Sequence, residues 1–351
     1  MVSRLLSIDE VVQATGLEES VLRFYESEYP AKLPSKILQG DSLLFPFQSI
    51  QAFQEIHDLV TTGATAPGRQ QKTFGRVIAV TSGKGGVGKS NVTLNLAIEM
   101  QRLGKLCLVL DADMGLANIH LLAGMLPRHD LRDLLSGKAS MADLIMTGPE
   151  GIGIIAGGSG VLSMADSRNE ERHAIISSLA EVEEEADIIL VDTGAGLGSG
   201  VRDFLASADE VLFVLTPDIT SLTDAYGLLK VMHQEDMPPR PLYSVVNMVQ
   251  TLKQAAEVAV RFSACAGNFL GLDVKNIGYI LRDSSVGAAI AHRQPYTVYK
   301  PMARASCNTR NIAKALLKNE LSAGATTSAF GRFRKMISSQ QKKTEMRMKS
   351  A

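Results

Sequence analysis

Several things are scarce in this chain, and each scarcity narrows what it can be. Only three cysteines occur among 351 residues, Cys107, Cys265 and Cys307, and none stands in a C-x-x-C pair. Cys107 falls inside an apolar run and reads as a core thiol. A reduced, cytoplasmic setting is therefore expected. No run of 18 apolar residues is present, so no helix is expected to span a membrane. Met1 to Glu10 lacks the basic, apolar, then small order of a secretion signal. The formal net charge is only −1, which gives no overall attraction to nucleic acid or to an anionic surface.

What is present fits a globular protein of two or three domains, 45% hydrophobic and 21% charged. Residues 1–60 are helical in pattern. Residues 61–75, beginning Thr61-Thr62-Gly63-Ala64, read as a linker. From 76 to 321, short apolar runs alternate with helical patterns. The runs are Val77–Val80, Leu106–Leu110, Ile152–Ala156, Ile188–Val191, Val211–Leu215, Tyr243–Val246 and Ile277–Leu281. Nearly continuous apolar strands between helices predict an α/β fold, a doubly wound and mostly parallel sheet covered on both faces, with a small helical N-terminal domain. Residues 322–351 form a polar, basic tail.

The densest chemical signal is Gly83-Lys84-Gly85-Gly86-Val87-Gly88-Lys89-Ser90, which satisfies G-x-x-x-x-G-K-[ST]. It follows the run Val77–Val80 and precedes a helix-like segment opening at Asn91. Strand, glycine loop and helix together make a phosphate cradle: backbone N–H groups converge on phosphate oxygens and the helix N-terminus adds favourable partial charge. Lys89 is expected to reach the β- and γ-phosphates, and Ser90 to ligate Mg²⁺. The bland alternative is a glycine-rich turn with no ligand.

Ligands of such sheets bind at the carboxyl ends of strands, and polar residues close several of the runs. Asp111 and Asp113 follow Leu106–Leu110. Asp192 follows Ile188–Val191, a carboxylate closing four apolar residues, as expected of a group that holds Mg²⁺. Asn247 closes Tyr243–Val246, and Arg282 follows Ile277–Leu281. Aspartates after strands also cap helices, and Arg282 also reads as a surface arginine.

With its second lysine, Lys84, the loop resembles that of the MinD/ParA family of ATPases, written K-G-G-x-G-K-[ST]. The resemblance covers roughly residues 75–320. It implies ATP and Mg²⁺ as ligands and a sandwich homodimer in which Lys84 touches the partner's nucleotide. By the same resemblance Asp113 positions the attacking water, Asp111 sits nearer the metal, Gly194 and Gly196 belong to a second switch, Asn247 contacts adenine and Arg282 lies in the loop over the base. Lacking cysteine pairs, the chain departs from the iron–sulfur relatives of this class. The segments Asp111–His120, Asp192–Gly196, Val246–Val249 and Thr216–Gly227 are similar to the flagellar-number regulators of the FlhG/FleN branch. That implies a protein partner: a flagellar GTPase, a switch-complex component or a transcription activator. The D-Q-A-x-x-L-R motif that commonly stimulates the GTPase in that branch is missing here.

Both ends carry their own expectations. Ser7-Ile8-Asp9-Glu10 is a capping box, and Leu22-Arg23-Phe24-Tyr25-Glu26 on a second helix resembles the helix-turn-helix of MerR-type regulators, with Phe45 to Leu59 as the following helix. Residues 1–60 hold four basic and nine acidic side chains, a net of −5. Such a charge repels phosphates, so a protein-interaction module is expected over a DNA reader, although Lys32 and Lys36 could form a small basic wing. In the tail, Phe330, Phe333, Met336 and Ile337 share one helical side. From Thr326 on, seven basic residues face one acid, a net of +6, so residues 330–337 could contact an inner-membrane surface; a solvated tail is the alternative. The family resemblance implies that such a helix is released when ATP drives dimerisation. Three functional readings follow: a regulator of flagellar number or placement, a DNA-partition ATPase with an autoregulatory helix-turn-helix, and a module that binds ATP without hydrolysing it.

Overall fold

In a computed structural model of the full chain, the described residues are 5–30, 33–34, 36–39, 42–62, 74–113, 118–157, 169–235, 237–318 and 328–335. The chain divides into two compact units, Met1–Gln71 and Lys72–Ala351.

The first unit is built from β1 (Leu5–Leu6), α1 (Ile8–Thr15), α2 (Glu19–Glu28), β2 (Ile37–Gln39), β3 (Ser42–Pro46) and α3 (Ser49–Thr62). The Ser7/Glu10 capping box forms: Glu10 N–H donates to Ser7 Oγ at 3.2 Å, and Ser7 N–H to Glu10 Oε2 at 2.8 Å. Gly16, at φ +69°, then turns the chain between the two helices. Leu6, Val11, Leu22, Tyr25, Phe45, Phe53 and Ile56 make the core. The sequence reading of this region as all helical is incomplete. A three-stranded antiparallel sheet, in the order β1-β3-β2, stands beside the helices. Residues 45 and 46 end a strand, so the following helix begins at Ser49.

The second unit holds an eight-stranded sheet. Its strands are β4 (Arg76–Ser82), β5 (Cys107–Ala112), β6 (Ile145–Thr147), β7 (Gly153–Ile155), β8 (Ile188–Ala195), β9 (Glu210–Leu215), β10 (Leu242–Val249) and β11 (Val274–Leu281). The order is β11-β10-β9-β4-β8-β5-β7-β6, and every pairing is parallel except β6 with β7. Each apolar run of the sequence supplies a strand; only the short β6 has no counterpart among them. Alternate residues face opposite layers. Val77 and Ala79 join one core with α7 (Asn169–Leu179), α8 (Ser199–Ser207), α9 (Ile219–Gln234) and α10 (Leu252–Leu270). Ile78 and Val80 join the other, with α4 (Lys89–Arg102), α5 (Ile119–Leu122), α11 (Ser284–Ala291), α12 (Tyr296–Tyr299) and α13 (Arg304–Lys318). A further short helix, α6 (Leu131–Leu135), adds Leu131 to the first layer. With both faces covered, the central strands are apolar throughout, which is why they are readable as runs.

The tail differs from a free amphipathic helix. A helix at residues 329–335 packs Ala329, Phe330 and Phe333 into the first layer, where all three are buried. Phe333 meets the His173 ring edge to face, with centroids 5.6 Å apart. The buried Glu183 carboxylate accepts hydrogen bonds from Ser328 Oγ and from the Ala329 and Phe330 amides, at 2.6 and 3.3 Å for the amides, and Arg332 pairs with Asp209. The apolar face expected to meet lipid is thus covered by the chain's own core, because burying two phenylalanines is worth several kcal/mol. Met336 and Ile337 lie outside the described residues. Among the described residues, no helix is long and apolar enough to cross a membrane.

Candidate functional site

The phosphate loop spans the gap between β4 and α4. Two of its glycines are dictated by their surroundings. A Cβ on Gly83 would lie 2.1 Å from the backbone of Asp224 on α9. Gly88 takes φ +84°, and a Cβ there would stand 2.5 Å from Asn247 Nδ2. Gly85 and Gly86 face open space, Val87 is buried, and Ser90 and Asn91 lie in the first turn of α4. Asn91's carbonyl accepts from Asn95 Nδ2 at 2.8 Å.

Lys89 turns inward. Its Nζ lies 2.9 Å from Asp192 Oδ1, with the lysine 7% exposed and the aspartate fully buried. Thr93 Oγ1 reaches the same oxygen at 3.3 Å, and Ser90 stands close enough to stabilise the charged carboxylate. Burial pushes the Asp192 pKa up, while Lys89 and Ser90 pull it back. Asp192 Oδ2 has no hydrogen-bond partner among the described residues. A buried carboxylate oxygen left unpaired beside a serine hydroxyl is a hard-oxygen donor set that fits Mg²⁺. Among the described residues no group of three or more His, Cys, Asp or Glu could hold a metal ion.

Asp111 pairs with Asp192 in strand register and is likewise fully buried. Its oxygens accept from two backbone amides, Asp113 at 3.2 Å and Ile119 at 3.0 Å. Burial and then the neighbouring Asp192 raise its pKa to about 7, against the two amides. Asp113, half-buried, stands near Gly194, where a Cβ would be 3.7 Å from its Oδ1. Residues 114–117 of the quoted segment lie outside the described residues.

Lys84 points elsewhere. Its Nζ lies 3.2 Å from Asp218 Oδ1 and 2.8 Å from Thr220 Oγ1. Asp218 caps α9 by accepting from Ser221 N–H at 2.9 Å. Hydrogen bonds from Thr216 and Thr220, and then Lys84, hold its carboxyl well below the usual range. Asn247 is engaged with the loop itself: Nδ2 donates to the Val87 carbonyl at 2.8 Å, and Oδ1 accepts from Met248 N–H at 2.9 Å. Met248 is held at φ +58°, a conformation rare for non-glycine residues.

These groups border a cleft of about 330 Å³ lined by Lys84 to Val87, Thr216 to Asp218, Met248, Gln250, Gln254 and Arg282. Arg282 therefore shares the cleft with the loop, while Asp111 and Asp192 stand on β5 and β8 and Lys89, at the start of α4, reaches Asp192. Sequence reasoning did not single out Asp218, Met248, Gln250 or Gln254. A signal existed for Asp218, since Thr216-Pro217-Asp218 directly follows β9 at its carboxyl end.

A family profile described as an AAA domain matches residues 75–236. The antiactivator FleN of Pseudomonas aeruginosa is 34% identical over 239 residues, 68% of this chain and 85% of that protein. The flagellum site-determining protein YlxH of Helicobacter pylori is 33% identical over 258 residues, 71% of this chain and 84% of its own. Among solved structures, the septum site-determining protein MinD of Pyrococcus horikoshii, complexed with Mg-ADP, superposes with a TM-score of 0.57 at 25% identity, covering 70% of this chain and 96% of that one.

Proposed function

Since the chain belongs to the MinD/ParA family of P-loop ATPases, in the branch of FleN and its flagellar relatives, we propose that it is an ATP-dependent dimerisation switch regulating the number or placement of flagella. The observation that carries this reading is the convergence of Lys89, Ser90, Asp111 and Asp192 beneath a phosphate loop whose second lysine, Lys84, stands at the rim. The flagellar assignment rests on the names of the two relatives.

In this reading the loop amides and Lys89 hold the β- and γ-phosphates, and Arg282, Met248 and Gln254 border the base. Asn247 fixes the loop through Val87 and keeps a second amide N–H for adenine. A magnesium ion held by Ser90 and Asp192, with Asp111 beside it, would neutralise charge on the phosphate oxygens. Asp113 positions the attacking water. Lys84 leaves Asp218 and reaches the nucleotide of a second copy, so loss of the γ-phosphate removes differential affinity for the dimer.

The N-terminal unit reads as a protein-docking module of winged-helix shape. Its two described cations are engaged: Arg23 with Glu19 and Glu26, and Lys36 with Glu26 at 2.5 Å while lying 4.7 Å over the Phe45 ring. Phe24 stays half exposed on the outer face of α2. That disfavours phosphate binding and suits a protein surface; Lys32 lies outside the described residues. The helix at 329–335 serves as a stored membrane contact, released when the dimer forms.

Light scattering on wild type and Asp113→Ala, with ATP·Mg²⁺ and with ADP, tests the switch. The expected result is a dimer only with ATP, which Asp113→Ala traps. A monomer under every condition rejects dimerisation by ATP alone.

A further inference from the structure

We propose that Asp192 also holds the Lys89 ammonium against the sheet, so that metal and nucleotide enter by an exchange of cations on this one carboxylate. The inference rests on the phosphate-loop reading above and adds an order of events to it.

The Lys89 ammonium is the group expected to meet phosphate, yet here its charge is spent inside the protein. It lies 2.9 Å from a carboxylate that no solvent reaches. Thr93, one turn along the same helix, completes the grip on Asp192. Asp111 stands in register on the next strand, also fully buried. Lifting Lys89 toward a phosphate would leave the buried Asp192 carboxylate without a cation, beside the equally buried Asp111. Removing one partner of a buried pair is strongly unfavourable for this reason. A divalent cation on Asp192 Oδ2, the oxygen without a partner among the described residues, removes the penalty. Lys89 and the metal are thus alternative counter-ions of Asp192. Metal binding frees the lysine, and lysine engagement with phosphate frees the metal site. Such coupling is reciprocal by thermodynamic necessity.

Two consequences follow that simple chelation of Mg²⁺ by ATP does not give. Asp192→Asn keeps the shape of the side chain and removes the charge that retains Lys89. It should bind metal-free ATP more tightly than wild type, by about tenfold to a hundredfold for one charged hydrogen bond. Lys89→Met removes the competing cation, so this variant should bind Mn²⁺ with no nucleotide present, about tenfold or more tighter than wild type.

The experiment uses the full-length protein, a fluorescent ATP analogue in EDTA for the first arm, and Mn²⁺ electron paramagnetic resonance for the second. Melting temperatures establish that each variant is folded; if Asp192→Asn is not, the Lys89→Met arm decides alone. Tighter metal-free nucleotide binding by Asp192→Asn with tighter Mn²⁺ binding by Lys89→Met supports the exchange. Failure of either in a folded variant overturns it. Wild type that binds the analogue with Mg²⁺ while both arms fail rejects the exchange alone. Wild type that does not bind it even with Mg²⁺ rejects the phosphate-loop reading itself.

Discussion

Lys84 Nζ sits 3.2 Å from Asp218 Oδ1, within its own chain. The lysine proposed to reach a partner's nucleotide has a competing site on the cap of α9. Both side chains are nearly half exposed, 44% and 46%, so the competitor is weak. Asp218→Asn keeps a capping oxygen and removes the charge. It should lower the protein concentration needed for the ATP dimer by about two- to fivefold, measured by light scattering over a dilution series. Lys84→Ala should keep ATP binding and lose the dimer. An unchanged midpoint in Asp218→Asn would make the intrachain pair incidental to dimerisation.

The C-terminal helix offers a second test, because its grip is both polar and apolar. Glu183 serves Ser328, Ala329 and Phe330, while Phe330 and Phe333 fill the layer beneath. Glu183→Ala strips the acceptor from those donors and leaves the apolar face intact, a loss of about 1–3 kcal/mol. Amide exchange at 329–335 should quicken while the central strands stay protected. If this helix is a membrane contact, the same variant should co-sediment more strongly with anionic vesicles, and Phe330→Ala with Phe333→Ala should abolish the gain. Unchanged exchange at 329–335 would mean that the phenylalanines hold the helix without help from Glu183.

Glycines in the loop are not equivalent, which separates loop folding from loop chemistry. Gly83→Ala places a methyl 2.1 Å from the Asp224 carbonyl carbon and 2.3 Å from the Ala225 nitrogen. Helix α9 must shift, at a cost of about 1–3 kcal/mol. Gly85→Ala meets nothing within 4 Å and should leave stability within about 0.5 kcal/mol of wild type. Thermal melts of the two variants without nucleotide check this. Equal melting temperatures would contradict the close packing of Gly83 on α9.

Legibility in the sequence followed the physics of each feature. The strands of the second unit stand out because a sheet covered on both faces needs apolar residues at every position, not at alternate ones. The phosphate loop, Asp111 and Asp192 are legible because strand ends and loops carry their chemistry in a contiguous motif. What escapes notice depends on partners distant in sequence. Ser42–Pro46 and Ile37–Gln39 are too short to separate from helix by period, although Gly40-Asp41 between two apolar runs is a hairpin signal. The amphipathic pattern at Phe330 and Phe333 identifies a face to be covered, not the surface that covers it. Asn247 after the run Tyr243–Val246 could not disclose that Val87, 160 residues earlier, would take its amide.

The sign of one pH effect follows from the carboxylate pair. Asp111 titrates near pH 7 in the folded chain, chiefly through burial and then through Asp192, whereas an unfolded aspartate titrates at about 3.9. Between these values the folded state holds the extra proton. Stability contributed by the protonated Asp111 is therefore fully present below about pH 4 and declines as pH rises toward about 7, beyond which the charged group is a constant penalty. Asp111→Asn removes that penalty but places an N–H donor against the amide of Asp113 or Ile119, a loss that does not vary with pH. The variant should therefore gain on wild type as pH rises from 5 to 8, by a difference on the order of 1–3 kcal/mol in unfolding free energy, with EDTA present and Asp192 still paired to Lys89. Denaturant titrations at pH 5 and pH 8 measure it directly. A difference that stays flat across this range, or that reverses sign, would mean that Asp111 is ionised at neutral pH despite its burial, and that a second full negative charge stands beside Asp192 beneath the phosphate loop.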